Sequence, residues 1–437
     1  MSSRQDPTET SSDQPARSGR VAVIGAGISG LTTAWLLSRR YDVVLIEKEH
    51  RLGGHTHTHL IETRNGPLAL DTGFIVHNTR TYPRLVRLFN ELGVRCRDSD
   101  MSFGVTCDDG AFEYSTRNLN GLFAQRRHIL RPAYYTFLLD ILRFNRESRR
   151  FARALERSPR HGPGVTLGEF LKRHHLEGDV ASRYLQPLAA AIWSASTGDI
   201  LQFPAATLIR FFDQHGMNTT LDHPVWRVVE GGSSSYIPKM TASPRITTRT
   251  NTAVRSVARF DDRVEIHTER DPPLVVDAVV FACHGDEVLP LLQDPTPLER
   301  SVFAGFRTSA NEAILHTDAS WLPRRRAARA AWNYAIERGS APATVTYHLN
   351  RLQGFEASED YCVTLNPTRP IPPYSLLRRM TYTHPLYTLD AIGSQKRWST
   401  ISGQRRTHFC GAYWFYGFHE DGVRSGVRVA ASLGVEW

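Results

Sequence analysis

Residues 21–47 leave this chain little freedom in what it folds into. Val21-Ala22-Val23-Ile24 is a short, wholly apolar run, as a strand buried on both faces of a parallel sheet requires. Gly25-Ala26-Gly27-Ile28-Ser29-Gly30 follows, Leu31 to Ser38 reads as a helix, and Asp42 to Ile46 reads as a second buried strand ending at Glu47. Strand, glycine turn, helix, strand and acid make a complete βαβ unit of about 30 residues. Gly25 permits the tight turn, Gly27 lets a pyrophosphate approach the main chain, and Gly30 allows close helix–strand packing. From about Ile28 and Ser29 the helix turns its free N–H groups and the positive end of its dipole toward the phosphates. Glu47, seventeen residues past Gly30, is placed to accept hydrogen bonds from a ribose. A glycine triplet alone is a weak signal, but with strand, helix and acid in place it predicts a bound dinucleotide.

The remaining chain is ordinary globular material. Its 437 residues, 41% hydrophobic and 22% charged, suffice for two cores at roughly 100–200 residues per domain. Residues 1–19 carry almost no large apolar side chain and are expected to be a disordered tail. That segment lacks the apolar stretch of a signal peptide. No apolar run approaches the length needed to cross a bilayer. Five scattered cysteines without CxxC spacing fit a reduced, cytoplasmic protein. The net charge is +9, and eleven arginines against three acids between Arg117 and Arg160 account for most of it. Apolar and aromatic residues are interleaved there, from Ile129-Leu130 to Phe144. Two readings stay open: a helix whose arginines are simply solvated, or one lying peripherally on the anionic inner face of the cytoplasmic membrane. No nucleic-acid module accompanies the basic stretch.

Further strand-like runs, Thr252 to Ala258 and Val275 to Cys283, and a C-terminal strand–turn–helix pattern, Thr407 to Leu433, flank helical material from about 117 to 215. The dispersed sheet pieces predict two interleaved domains. Arg51-Leu52-Gly53-Gly54-His55-Thr56 comes directly after Glu47-Lys48 and supplies a second glycine pair, which a nicotinamide enzyme does not need at this point. Residues 20–56 resemble the N-terminal signature of the FAD-dependent amine-oxidase and phytoene-desaturase superfamily. Asp71-Thr72-Gly73-Phe74, Gly231-Gly232 with Ser233 to Met240, Val254, Gly411-Ala412 and Asp421-Gly422-Val423-Arg424-Ser425-Gly426 resemble its later elements, in the right order. The resemblance implies an α/β fold. A Rossmann-like FAD domain (20–80, 225–290 and 405–437) is interleaved with an α+β substrate domain (81–224 and 291–404). It also implies that Gly25, Gly27, Ile28, Ser29, Gly30, Glu47, Lys48, Arg51, Gly53, Gly54, His55, Thr56, Gly73, Phe74, Val254, Gly411, Gly422, Val423 and Ser425 hold the FAD.

Two departures speak against amine oxidation. Cys410-Gly411-Ala412 stands where the superfamily carries Ala-Gly-Glu, and Asn311 stands where its amine oxidases carry a lysine near the flavin. His55-Thr56-His57, Trp193-Ser194 and Cys410 to Trp414 with Gly417 to Gly422 look more like the bacterial flavoproteins encoded beside cyclopropane fatty-acid synthases. That family is related to the N-terminal domain of the plant synthases. This resemblance implies oxidation of a methylated or unsaturated acyl chain of a phospholipid, with a lipid methyltransferase as partner. An oxidase of small amines and a non-catalytic FAD-containing partner are the rival readings. Tyr413, Tyr416 and His419 are the catalytic candidates. The aromatic run 413–418 suggests the wall of an apolar channel, and His419 suits a general base at neutral pH. A metal on the alternating His55, His57 and His59 would need a further ligand from elsewhere in the chain, and no metal is expected.

Overall fold

The computed structural model describes residues 19–157, 165–193, 197–214, 224–269, 271–336 and 344–437. The expected tail, apart from Gly19, lies outside the described residues, as do Ser194 and the end of the basic segment at 158–160.

Five strands form a parallel sheet in the order Ile246–Arg249, Asp42–Ile46, Arg20–Ile24, Ala278–Phe281, Thr407–Phe409. The three central strands carry continuous apolar runs because both faces are covered. Val21 and Val23 point into one core, which receives the helices Ile28–Leu37 and His419–Ser432. Ala22 and Ile24 point into another, with Phe281, Phe303 and Phe409. The two helices pack closely because Gly426 leaves no side chain between them. A Cβ there would lie 2.8 Å from the Ser29 carbonyl oxygen.

The run expected as one strand from Val275 to Cys283 is two. Leu274–Val276 joins an antiparallel three-stranded sheet and Ala278–Phe281 joins the parallel one. Asp277 makes the switch: its N–H donates to the Arg20 carbonyl, and its carboxylate accepts from the Arg20 N–H at 2.6 Å.

A seven-stranded sheet forms the second large unit, in the order Leu376–Leu386, Arg307–His316, Cys362–Leu365, Thr344–His348, Trp332–Ile336, Phe103–Cys107, Phe112–Ser115. It is antiparallel except where Trp332–Ile336 runs beside Phe103–Cys107. Helices Pro132–Arg157 and Ala205–Gln214 pack over one of its faces around Tyr114, Phe144, Phe170 and Phe212. A small sheet ties Val76–Asn78 and Cys96–Asp98 to the two edges of Trp226–Val229.

Candidate active site

Helix Ile28–Leu37 begins without a side-chain cap and without an acid in its first turn. Its first N–H groups therefore keep their capacity for an anion. The glycines before it divide the work. A Cβ on Gly30 would fall 1.9 Å from the Gly25 carbonyl oxygen, so packing alone demands glycine there. A Cβ on Gly27 would meet nothing within 4 Å, so its hydrogen faces open space with room for an approaching phosphate. The second glycine pair lies against the first, Gly53 N–H donating to the Ala26 carbonyl at 2.8 Å. Gly53 and Gly54 both have positive φ, and a Cβ on Gly54 would stand 3.1 Å from Gly27 Cα. Arg51 braces this loop through the carbonyls of Gly54 and Thr56.

Glu47 is buried at the end of its strand, where its carboxylate accepts from the N–H groups of Ala26 (2.8 Å) and Glu49 (3.0 Å). The adjoining backbone bonds to the segment leading to Val254, with Thr252 N–H donating to the Glu47 carbonyl. Turn, acid and the segment leading to Val254 thus meet at one end of the parallel sheet. Lys48 is engaged elsewhere, in an exposed ion pair with Glu287 at 2.7 Å.

Beyond Gly54, at the same end of the sheet, side chains take over. Gly73 lies so close to His55 that a Cβ would fall 2.1 Å from the His55 carbonyl, and Phe74 N–H donates to that carbonyl at 2.7 Å. The His419 ring stacks on Phe74 at 3.6 Å, and its Nε2 lies 3.0 Å from Thr56 Oγ1. Burial pushes the His419 imidazole down to about 3, so it has little affinity for a proton near neutrality. The expectation of a general base at His419 is therefore corrected: the residue fastens the Thr56 loop to the C-terminal helix. Tyr413 is corrected too. The 3₁₀ turn Ala412–Trp414 swings it into the core on the opposite sheet face, 4.8 Å from the Phe306 ring. The run 413–418 is thus not a single wall. Phe418 turns instead to stack on Phe211 at 4.8 Å, with Tyr416 6.3 Å from the same ring. Gly417 admits the Tyr387 hydroxyl, which a Cβ would approach to 2.4 Å. Val423 is core, and Ser425 Oγ accepts from the Gly411 N–H at 3.0 Å. A Cβ on Gly422 would meet Ile28 at 2.5 Å, so this glycine brings the two helix N-termini together.

A cluster that the sequence reading did not assemble surrounds His55. Its ring lies 5.2 Å from Tyr382 and 5.1 Å from His384, and its Nε2 is buried with no partner among the described residues. Such an orphaned nitrogen fits a group that the protein itself does not supply. Asn311 donates to His384 Nδ1 at 2.9 Å and accepts from Asn366 at 2.7 Å. His384 therefore carries its proton on Nε2. Tyr382 is hydrogen-bonded to Thr72 (2.7 Å) and His57 (2.9 Å). Burial lowers His384 to about 4 and lowers His55 well below the usual histidine range. Asp71, held by Thr58 and Ser233, ties this loop to the Gly231-Gly232 turn.

The family model for flavin-containing amine oxidoreductases matches residues 28–365. The chain belongs to this family. No curated protein matches the sequence. Among solved structures, the fatty acid isomerase of P. acnes that produces CLA superposes with a TM-score of 0.66 at 14% identity, over 94% of this chain and 98% of that one. Putrescine oxidase bound to putrescine gives 0.65 at 15%, over 95% and 98%. Cyclohexylamine oxidase from Brevibacterium oxydans IH-35A gives 0.65 at 14%, over the same shares. These likenesses establish the shared fold. Membership makes the protein an FAD-dependent oxidoreductase, and the uncapped helix, the open face of Gly27 and the orphaned His55 nitrogen fit that cofactor.

Proposed function

We propose that this flavoprotein dehydrogenates a methylated or unsaturated acyl chain of a phospholipid. The observation that carries the reading is the charge state around His55. Asn311 stands where the resemblance would put the lysine of amine oxidases, and neutral His384 and His55 with Tyr382 complete the cluster. These four side chains bear no charge near neutral pH. A cationic amine gains no partner from them, whereas an acyl chain gives up no ion solvation on entering. Phe211, Phe418 and Tyr387 belong to one apolar cluster beside the Gly417 loop.

Bound FAD supplies the hydride acceptor at N5. Dehydrogenation takes a hydride from one carbon and a proton from its neighbour, leaving a double bond; the electrons pass on to oxygen or another acceptor. His55 stays neutral and offers its free nitrogen as a hydrogen-bond partner to the bound group, while Asn311 and Tyr382 fix the imidazoles and phenol around it; the proton leaves to solvent. The test is lipid analysis of cells making the protein together with a lipid methyltransferase. Newly unsaturated methylated chains, or furan acids formed from them, are expected. Unchanged lipid profiles would refute the reading.

A further inference from the structure

Helix Pro132–Arg157 buries one stripe and exposes another that is not simply polar. Tyr134, Phe137 and Phe144 face the core, while Tyr135, Leu139 and Leu142 face outward, Leu139 at 63% exposure. The preceding short turn adds Leu130, exposed at 87%, and Leu119 adds another at 74%. A solvated helix face has no need of apolar groups spaced at i, i+4 and i+7, and such a patch marks a docking surface. Around it stand Arg126, Arg131, Arg143, Arg146 and Arg149, all exposed. Glu147 pairs with Arg146 and Arg150, while Arg131, Arg143 and Arg149 show no ion pair among the described residues. Apolar side chains framed by unneutralised guanidinium groups match the two layers of an anionic bilayer surface, acyl boundary and phosphate.

We propose that this face docks the protein on an anionic phospholipid membrane. The core behind it leads toward the candidate site. Phe144 lies 6.3 Å from Phe212, whose neighbour Phe211 stacks on Phe418, the residue before His419. The docked face is thus one helix away from the aromatic residues beside the site. Docking concerns the surface alone, so vesicle binding tests it separately from the reaction.

The experiment is flotation of the full-length FAD-loaded protein with vesicles of phosphatidylglycerol and phosphatidylcholine in equal parts, and with phosphatidylcholine alone. Binding to the anionic vesicles is expected, weakening as salt is raised. Two triple variants, Leu130→Asp with Leu139→Asp and Leu142→Asp, and Arg131→Glu with Arg143→Glu and Arg149→Glu, should each lower the bound fraction by more than about tenfold. Flavin content and melting temperature should stay unchanged. If the leucine variant folds poorly, the arginine variant decides, since its three sites are exposed. Absence of binding by the wild type, or wild-type binding by the arginine variant, overturns the proposal. So does a wild-type dimer that fails to float and becomes a monomer in the leucine variant, since the face then belongs to a second copy.

Discussion

The two ends of the candidate site are built from different materials. At the phosphate end the work is done by backbone: three glycines, an uncapped helix and the Gly53-Gly54 pair pressed on Gly27. At the ring end it is done by side chains from distant segments: His55, Asn311, Tyr382 and His384. Backbone geometry serves any substrate of the family, since it holds only the common cofactor. In the proposed function the ring end distinguishes one substrate from another, and its His55, Asn311, Tyr382 and His384 side chains carry no charge near neutral pH.

Substitutions that separate the two ends should differ in what they damage. Gly30→Ala is expected to be the most severe, because its methyl meets backbone rather than a flexible side chain. A loss of about 3 kcal/mol or more, with loss of flavin, should show in denaturant melts and absorbance. Gly27→Ala has room in the protein alone. Apoprotein stability should change by less than about 0.5 kcal/mol, while FAD affinity falls about a hundredfold. Equal damage to both would show that Gly27 serves packing instead.

Asn311→Leu removes the partners of His384 Nδ1 and Asn366. FAD should remain bound in full while turnover drops about ten- to a hundredfold through misplacement. Loss of flavin in this variant would mean that the ring end also grips the cofactor. The smallest effect concerns Asp421, whose carboxyl burial raises to about 7. With the folded value above the unfolded one, this group's contribution is complete below about pH 4 and disappears as pH rises through 7. Asp421→Asn keeps an oxygen for the Phe418 N–H and abolishes the titration. The variant should gain on the wild type by about 1 kcal/mol between about pH 6 and 8. Parallel stability curves would contradict this.

The same division explains what the sequence made legible. Gly25 to Gly30 and Glu47 could be placed because a βαβ unit is local and its spacing is fixed by strand and helix geometry. Asn311 was found by its position relative to a family pattern, but its partner was not. His384 comes next to it only through the antiparallel pairing that sets Asn311 opposite Tyr382 and Ser309 opposite His384. The i, i+2 spacing of Tyr382 and His384 was a usable signal, since it places both on one face of a strand. Tyr413 was grouped wrongly because adjacency in an aromatic run says nothing about direction: Tyr413 and Trp414 enter one core, while Tyr416 and Phe418 turn toward Phe211. For His419 the residue type suggested chemistry, while burial against Phe74 and Thr56 gave it a supporting role.

The most direct test of the central claim, an uncharged ring end suited to acyl chains, is anaerobic mixing of the purified flavoprotein with two kinds of substrate. Dispersed phospholipid bearing methylated or unsaturated chains should bleach the flavin's visible absorption, and putrescine or cyclohexylamine should leave it oxidised. Bleaching by the amines and not by the lipid would contradict the account.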